Sequence, residues 1–376
     1  MRVPVYNPLI EDVDIDAVSS ALKQRWMGQG KLVEEFEKEA ARLIGHPKRF
    51  VVAVSNGTSA IHLSLLAAGV RRGDEVIMSS LNFVGVAQAV VSVGALPVFC
   101  DVSDTTLTMD VSTLEKGITK KTAAIIALDY ATNRCALDDI LDVAKQHKIR
   151  VIHDAAHSFG WKDQGRITGS FGDITVFSFD PVKNFSAIDA GLIVVNTKQE
   201  DRWLREARSV GQKLDCSTDG KDSKMEFREV THVGFRYHLS NIHAALGLSQ
   251  LNKLTDIEKS RRWACRTYTE SFQEFRIKIK PISTCFDDVI PFIYVVREKS
   301  NQREALRQFL AKNGVETHVH WRPIHRYEFF RDARTVGNLD ITEAVGLEVL
   351  TLPLHSRMPK REIEYVIEKV QKFYSG

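Results

Sequence analysis

The sequence lacks the features that direct a chain into a membrane or out of the cell. No window approaches the roughly 20 consecutive apolar residues that a membrane-spanning helix needs. Residues 1–5, MRVPV, do not contain the long apolar core of a signal peptide. We therefore expect a cytoplasmic protein that contacts no membrane.

Cysteine is scarce, and its spacing matches no metal or redox motif. The five cysteines are Cys100, Cys135, Cys216, Cys265 and Cys285, and no two of them have C-x-x-C spacing. An odd number without a repeated spacing argues against a disulfide framework. We predict free thiols, mostly buried, and no metal site.

The chain also lacks a large excess of charge of either sign. The net charge is +3, from 51 basic and 48 acidic residues that are interspersed along the chain. This balance gives no reason to expect nucleic acid as a partner. A hydrophobic content of 44% with 26% charged residues is typical of a globular protein, and 376 residues exceed one ordinary domain. Two closely packed parts are expected.

Apolar, β-branched segments alternate with segments of helical periodicity. Predicted strands include Phe50–Val54, Ala95–Val102 and Thr122–Leu128, and a predicted helix, Leu137–His147, leads into a further strand. Such alternation predicts an α/β fold with a mainly parallel sheet and right-handed crossovers.

Other segments are assigned from their composition and pattern. Residues Lys198–Lys224 are charged and polar, which predicts a surface excursion. From about Lys253 a long helix leads into a second part of the chain, where Val315–Trp321 is predicted to be a strand.

The stretch Val151–Asn196 contains the side chains with the clearest chemical meaning. Asp154 follows one predicted strand, and Ser178 and Lys183 bracket the end of another that Pro181 terminates. Taken singly, such residues are usually solvated. Together, a lysine amine, a carboxylate and a hydroxyl suit pyridoxal phosphate, which bonds to a lysine and needs partners for its ring nitrogen and phosphate.

A turn of small residues, Ser55–Ser59, opens a predicted apolar helix. Its free N–H groups and hydroxyls could bind an anion. The same residues also suit an ordinary helix cap, which is their commoner use.

In their order along the chain, these blocks resemble the DegT/DnrJ/EryC1/StrS aminotransferases, fold-type-I pyridoxal-phosphate enzymes that aminate nucleotide-linked keto-sugars. The resemblance extends over nearly the whole length. It implies a large cofactor-binding domain, residues 1–252, with a mostly parallel seven-stranded sheet and with residues 1–30 near the site. It also implies a small carboxyl-terminal α/β domain, residues 253–376, and a homodimer whose subunits share their active sites.

The resemblance implies roles for individual residues, with Lys183 as the catalytic lysine. The other cofactor contacts that it implies are Gly57, Thr58, Ser59 and Ser178 at the phosphate, Phe83 on the pyridine ring, Asp154 at the ring nitrogen, His157 at the ring hydroxyl and Arg236 at the phosphate of the other subunit's cofactor. The implied substrate contacts are Trp26, Met27, Gly28, His320 and His325.

Two places depart from the family's pattern. The usual G-E-G-G turn after the lysine reads Ile188-Asp189-Ala190-Gly191 here, and Arg236 stands where an asparagine is usual. An arginine can also pair with phosphate. The alternating His318 and His320 suggest a metal site, but no third ligand supports one, and the resemblance favours substrate contact.

The activity that the resemblance implies is transfer of an amino group, with L-glutamate as donor, to a keto-deoxyhexose carried on a nucleotide. Its product would serve cell-surface polysaccharides or secondary metabolites. Two alternatives are a pyridoxal-dependent sugar dehydratase, which would have histidine in place of Lys183, and a regulatory or sensor protein that binds the cofactor without catalysis.

Overall fold

A computed structural model describes residues 1–214, 229–273 and 278–375. The amino-terminal part of the chain contains a seven-stranded sheet and a separate two-stranded sheet. The strands in chain order are β1 (Phe50–Val54), β2 (Glu75–Ser79), β3 (Leu96–Cys100), β4 (Thr122–Leu128), β5 (Arg150–Asp154), β6 (Lys162–Asp163), β7 (Arg166–Ile167), β8 (Ile174–Ser178) and β9 (Gly191–Val195).

The order of strands across the sheet is β1-β9-β8-β5-β4-β2-β3. Strands β8, β5, β4, β2 and β3 are parallel, whereas β9 is antiparallel to both β8 and β1. Strand β1 therefore points the same way as the parallel strands, and the carboxyl ends of six strands meet at one edge. Nearly continuous apolar runs such as β4 suit strands that are buried on both faces. The predicted α/β fold is confirmed.

Helices cover the sheet, and helix α3 is apolar on all sides because it is buried within this layer. The helices of the amino-terminal part are α1 (Asp12–Lys23), α2 (Lys31–Ile44), α3 (Gly57–Ala67), α4 (Val84–Ser92), α5 (Val111–Gly117), α6 (Leu137–His147), α7 (Lys198–Ala207) and α8 (Asn241–Leu251).

The carboxyl-terminal part contains a three-stranded antiparallel sheet. Its elements are α9 (Leu254–Ser271), β10 (Ile279–Pro281), β11 (Tyr294–Glu298), α10 (Arg303–Lys312), α11 (Asp340–Glu348), β12 (Val349–Leu352) and α12 (Lys360–Ser375). One hydrophobic core joins the two parts, since Phe177 of β8 and Phe179, which follows this strand, belong to the same cluster as Tyr268 and Tyr294. The position of a domain boundary near residue 252 stays a prediction.

Two predictions about local structure are corrected. Val315–Trp321 is not a strand, because it forms only isolated bridges, Val3 with Val315 and His318 with Thr351. The segment passes between the amino-terminal segment and β12 and pairs with each at a single point.

The first part of the predicted surface excursion is helix α7. Thr197 caps the helix by accepting the Glu200 N–H at 3.1 Å, and Leu204 and Ala207 are buried three residues apart on one face. Of the charged residues that suggested a loop, Lys198 and Arg202 are exposed, whereas Glu206 is buried. Residues 215–224 of the excursion lie outside the described part of the chain.

Within the described ranges, no helix has the length and apolar character that crossing a bilayer would require. The cysteines there are free thiols, with Cys100, Cys135 and Cys265 buried and Cys285 exposed. Cys216 lies outside the described residues.

A buried carboxylate connects α2, β1 and α7. Glu37 accepts hydrogen bonds from the Ala53 N–H at 2.9 Å, from Arg205 at 2.7 Å and from Arg208 at 2.5 Å. Burial raises the pKa of Glu37, but Arg208 and Arg205 outweigh burial and hold this pKa below its usual value. The ionised form therefore contributes stability at neutral pH, and this contribution is lost as the pH falls through the folded-state pKa.

We expect Glu37→Ala to lower the free energy of unfolding by about 3–5 kcal/mol, because it leaves the buried Arg208 guanidinium without its carboxylate and removes one of the two partners of the partly buried Arg205. Glu39→Ala on the same helix removes a more exposed pair with Arg42 and should cost less than about 1 kcal/mol. Urea denaturation at pH 7 measures both values. Equal effects of the two substitutions would contradict this account.

Candidate active site

A cavity of about 330 Å³ opens at the edge where the strands end. Parallel α/β sheets commonly place their functional groups at this edge. The sequence-predicted residues that line the cavity are Gly57, Thr58, Phe83, Asp154, His157, Ser178, Lys183 and His320. The other predicted residues, Ser59, Trp26, Met27, Gly28, Arg236 and His325, are not among its lining residues.

Lys183 lies on the loop that follows β8. Asp180 starts this loop, accepting the Val182 N–H at its carboxylate and the Lys183 N–H at its carbonyl, both at 3.0 Å. The Lys183 ammonium lies 4.2 Å from the centre of the Phe292 ring. Burial lowers the pKa of Lys183 to about 8, although Asp154 and Asp180 act to raise it. A useful fraction of the amine is therefore uncharged and nucleophilic near neutral pH.

Asp154 ends β5 and is only 3% exposed. It accepts the Ala156 N–H at 3.2 Å. Burial raises the pKa of Asp154 to about 6, against the lowering effects of this hydrogen bond and of Lys183. The group is thus a buried carboxylate at neutral pH, which favours a cationic partner inside the cavity.

His157 presents a hydrogen-bond donor to the cavity. Its Nδ1 accepts the Ala131 N–H at 3.0 Å, so the proton of the neutral ring is on Nε2. Burial, followed by the nearby Lys183 and His320, holds the pKa of His157 well below its usual value. The ring lies 4.5 Å from Phe292 and 5.3 Å from Trp321, centre to centre. These contacts keep the neutral tautomer in place.

The amino terminus of α3 forms one end of the cavity. The Asn56 side chain accepts the Ser59 N–H at 2.8 Å, and the Ser59 hydroxyl accepts the Asn56 N–H at 3.1 Å. Ser59 therefore serves in the helix cap, the alternative left open by the sequence. Gly57 and Thr58 line the cavity beside Ser178, where main-chain N–H groups and two hydroxyls suit a phosphate.

The segment Ile188–Gly191, which departs from the family's G-E-G-G pattern, still forms a tight turn. Ile188 has a φ of 65°, a left-handed conformation that a β-branched residue rarely adopts. Gly191 is required, because a Cβ there would lie 2.3 Å from the Asn56 carbonyl oxygen. Asp189 lines the cavity, and burial together with Asp180 raises the pKa of its carboxyl to about 6.

The two predicted substrate histidines use their ring nitrogens within the protein. His320 pairs through Nε2 with the Tyr6 hydroxyl and through Nδ1 with the Thr351 hydroxyl, both at 2.8 Å. His325 pairs with the Ser80 hydroxyl at 2.7 Å and with Glu343. His320 can therefore offer the cavity its ring surface rather than a free nitrogen. Substrate contact by either residue stays a prediction.

The remaining predicted residues lie outside this cavity. Trp26 is 62% exposed, and Asn241 holds its segment by donating to the carbonyl oxygens of Met27 and Gly28 at 3.2 and 3.0 Å. Arg236 is exposed and forms a bridge with Ser209. The predicted binding roles of these residues stay predictions.

Several lining residues were not singled out from the sequence. They are Asn56, Asn82, Asp180, Phe292 and Trp321. A signal existed for Asn56, because asparagine before a glycine and two hydroxyl residues is a typical helix cap. No local signal identifies Phe292, which precedes β11 in the carboxyl-terminal part and reaches the cavity only through the tertiary fold.

Comparison with known proteins gives matches along the whole chain. A model of the DegT/DnrJ/EryC1/StrS aminotransferase family matches residues 8–371. GDP-perosamine synthase of Escherichia coli O157:H7 is 30% identical over 377 residues, 99% of each chain. The spore coat polysaccharide biosynthesis protein SpsC of Bacillus subtilis (strain 168) is 30% identical over 381 residues, 100% of this chain and 97% of that protein.

Among solved structures, Spr1654 of Streptococcus pneumoniae in its PMP form matches with a TM-score of 0.92 at 25% identity, over 99% of this chain and 98% of that one. The same protein is also known in a PLP form. The cavity described above fits such a cofactor, since it combines a lysine amine, a buried carboxylate, a histidine N–H donor and a helix amino terminus.

We expect Gly57→Ala to weaken pyridoxal phosphate binding by about 5- to 10-fold, equivalent to about one hydrogen bond. The new Cβ would lie 2.8 Å from Ser178 Cβ and 2.9 Å from its Oγ. The amino terminus of α3, which suits the phosphate, would therefore have to move. Spectral titration of the cofactor-free protein measures the dissociation constant. Gly28→Ala is the control, because its Cβ would approach no atom closer than 3.6 Å. An unchanged constant for Gly57→Ala would contradict this assignment.

The lowered pKa of Lys183 predicts a pH profile. In the cofactor-free protein, the rate at which an amine-reactive acylating reagent modifies Lys183 should be half-maximal at about pH 8. Asp154→Asn should move this midpoint to lower pH, because it removes a negative charge that stabilises the ammonium. Peptide mass spectrometry at each pH gives the midpoint, and Asp139→Asn, at an exposed position on α6, should leave it unchanged. A midpoint near that of surface lysines would refute the expected shift.

Proposed function

Because the chain belongs to the DegT/DnrJ/EryC1/StrS aminotransferase family, we propose that it transfers an amino group to a keto-deoxyhexose linked to a nucleoside diphosphate. The predicted family and its cofactor, pyridoxal 5′-phosphate, are confirmed. L-Glutamate is the proposed donor. The proposed use of the product is the synthesis of cell-surface polysaccharide or secondary metabolites.

The names of two relatives support the substrate class. One relative is a GDP-perosamine synthase, and another is a protein of spore coat polysaccharide biosynthesis. Both match this chain over nearly its whole length, so the matched regions span the segments that line the cavity as well as the sheet.

The observation that carries the proposal is the placement of Lys183 in one cavity with Asp154 and His157. When bound, the cofactor supplies a carbonyl carbon for the lysine and a ring that accepts the electron pair released at the substrate carbon. Asp154, ionised above about pH 6, would keep the ring nitrogen protonated. The Nε2–H of His157 would donate to the ring oxygen.

Lys183 has the acid–base role in this proposal. Once the amino donor has displaced it, its amine can take a proton from the donor carbon and, in the second half of the cycle, deliver one to the sugar carbon. Its pKa of about 8 allows both the charged and the uncharged form near neutral pH. The apolar surfaces of Phe292 and Trp321 would exclude water from this proton transfer.

A homodimer would complete the site. Trp26 and Met27 are 62% and 55% exposed, and Val13 and Ile15 of the adjacent helix α1 are also largely exposed. Apolar side chains exposed in one region favour a protein contact. In the proposed dimer this region would approach the neighbouring cavity, and Arg236 would reach the other subunit's cofactor phosphate. The proposed location of the dimer is the cytoplasm.

Lys183→Ala should lower steady-state amination by at least about 10²- to 10⁴-fold, the usual contribution of a positioned acid–base group. We would record the visible absorption of the protein with pyridoxal phosphate before and after adding glutamate. The wild-type band should bleach and Lys183→Ala should not respond, whereas Lys145→Ala on α6 should behave as wild type. We would then add keto-sugar nucleotides that carry UDP, dTDP or GDP, and the substrate that the enzyme accepts should restore the wild-type band.

Retained turnover in Lys183→Ala would contradict the assignment of Lys183 as the catalytic lysine. A wild-type protein that binds the cofactor but responds to no amino donor would instead support the regulatory or dehydratase alternatives.

A further inference from the structure

Asn82 has a buried donor without a partner at the wall of the cavity. It follows β2, is 1% exposed and lines the cavity beside Phe83. Its Oδ1 accepts the Phe83 N–H at 2.7 Å. Its Nδ2 is buried and has no hydrogen-bond partner.

The orientation of this amide follows from its surroundings. Exchanging its oxygen and nitrogen would place the NH₂ group against the Phe83 N–H, so that two donors would face each other. The nitrogen is therefore the atom without a partner. Buried amide donors are almost always paired, because leaving one unpaired forfeits the hydrogen bonds that it makes in water. An unpaired donor at a cavity wall is best explained by a ligand that supplies the acceptor.

The wall that contains Asn82 adjoins the amino terminus of α3. A Cβ added to Gly85, at the start of α4, would contact the Phe83 ring and would lie 3.1 Å from the Thr58 hydroxyl. A ligand in the cavity offers this wall acceptors of one chemistry, which are oxygens of the cofactor or of the bound sugar.

We propose that Asn82 Nδ2 donates a hydrogen bond to an oxygen of the ligand bound in this cavity. The sugar as a source of this oxygen rests on the proposed function, whereas the cofactor as a source rests on the family's cofactor alone. In either case Asn82 is a binding residue, and its Oδ1 bond to Phe83 positions the aromatic ring on the same wall.

Asn82→Asp tests the donor in isolation. The carboxylate keeps an acceptor for the Phe83 N–H and removes the NH₂ group. Asn82→Ala is the uncharged second variant, which guards against effects of a new buried charge or of misfolding. Asn313→Asp is the matched control, because its amide already donates to the Phe309 carbonyl at 2.8 Å and lies at the end of α10, outside the cavity.

Three quantities are measured for each variant: thermal unfolding without cofactor, the dissociation constant of pyridoxal phosphate, and KM for the keto-sugar nucleotide accepted by the wild type. We expect both Asn82 variants to weaken binding by about tenfold, as for the loss of one hydrogen bond. Asn313→Asp should lower thermal stability and leave both binding constants unchanged.

The pattern of these changes identifies the acceptor. A raised dissociation constant for pyridoxal phosphate assigns the bond to the cofactor oxygen, and a raised KM with unchanged cofactor binding assigns it to the sugar. Unchanged values of both, with or without a loss of thermal stability, would overturn the proposal. If the wild type binds cofactor but aminates no sugar nucleotide, the proposed function fails, and the cofactor titration still decides the role of Asn82.

Discussion

The placement of the buried Asp154 carboxylate and the buried Lys183 amine in one cavity depends on the pairing of two parallel strands. Strands β5 and β8 are neighbours in register, with Asp154 opposite Val176, so the chain leaves both strands at the same edge of the sheet. Burial shifts the pKa of each group towards neutrality, upward for the carboxyl and downward for the amine. The same environment would make a ligand that pairs with both groups bind strongly.

Close packing around this pair determines the shape of the cavity. Gly57 allows α3 to approach Ser178, and Gly191 allows β9 to approach the Asn56 carbonyl. Between Lys183 and Gly191, Ile188 adopts the backbone conformation that glycine would adopt more easily. The unusual loop sequence therefore retains a tight turn at some conformational cost, as is often found next to functional sites.

The wall opposite the sheet comes from the carboxyl-terminal part of the chain. Phe292, His320 and Trp321 contribute ring surfaces, and Tyr6 and Thr351 hold His320 in place. Because its two ring nitrogens are engaged, His320 lines the cavity without offering a free donor or acceptor. Among the described residues that line the cavity, Asn82, on the loop after β2, has a fully buried side-chain nitrogen without a partner.

The α/β class and the main elements of the sheet follow from the sequence alone, because strand and helix periodicities are local properties. The chain also singles out Asp154, Ser178 and Lys183 as candidates from their chemistry near the ends of predicted strands, and the structure places all three on one cavity. The tertiary structure was needed to show that His325 pairs with Ser80 and Glu343. It also decided that Val315–Trp321 forms no strand and that Phe292 reaches the cavity. These outcomes depend on contacts between residues far apart in sequence, and no local pattern encodes them.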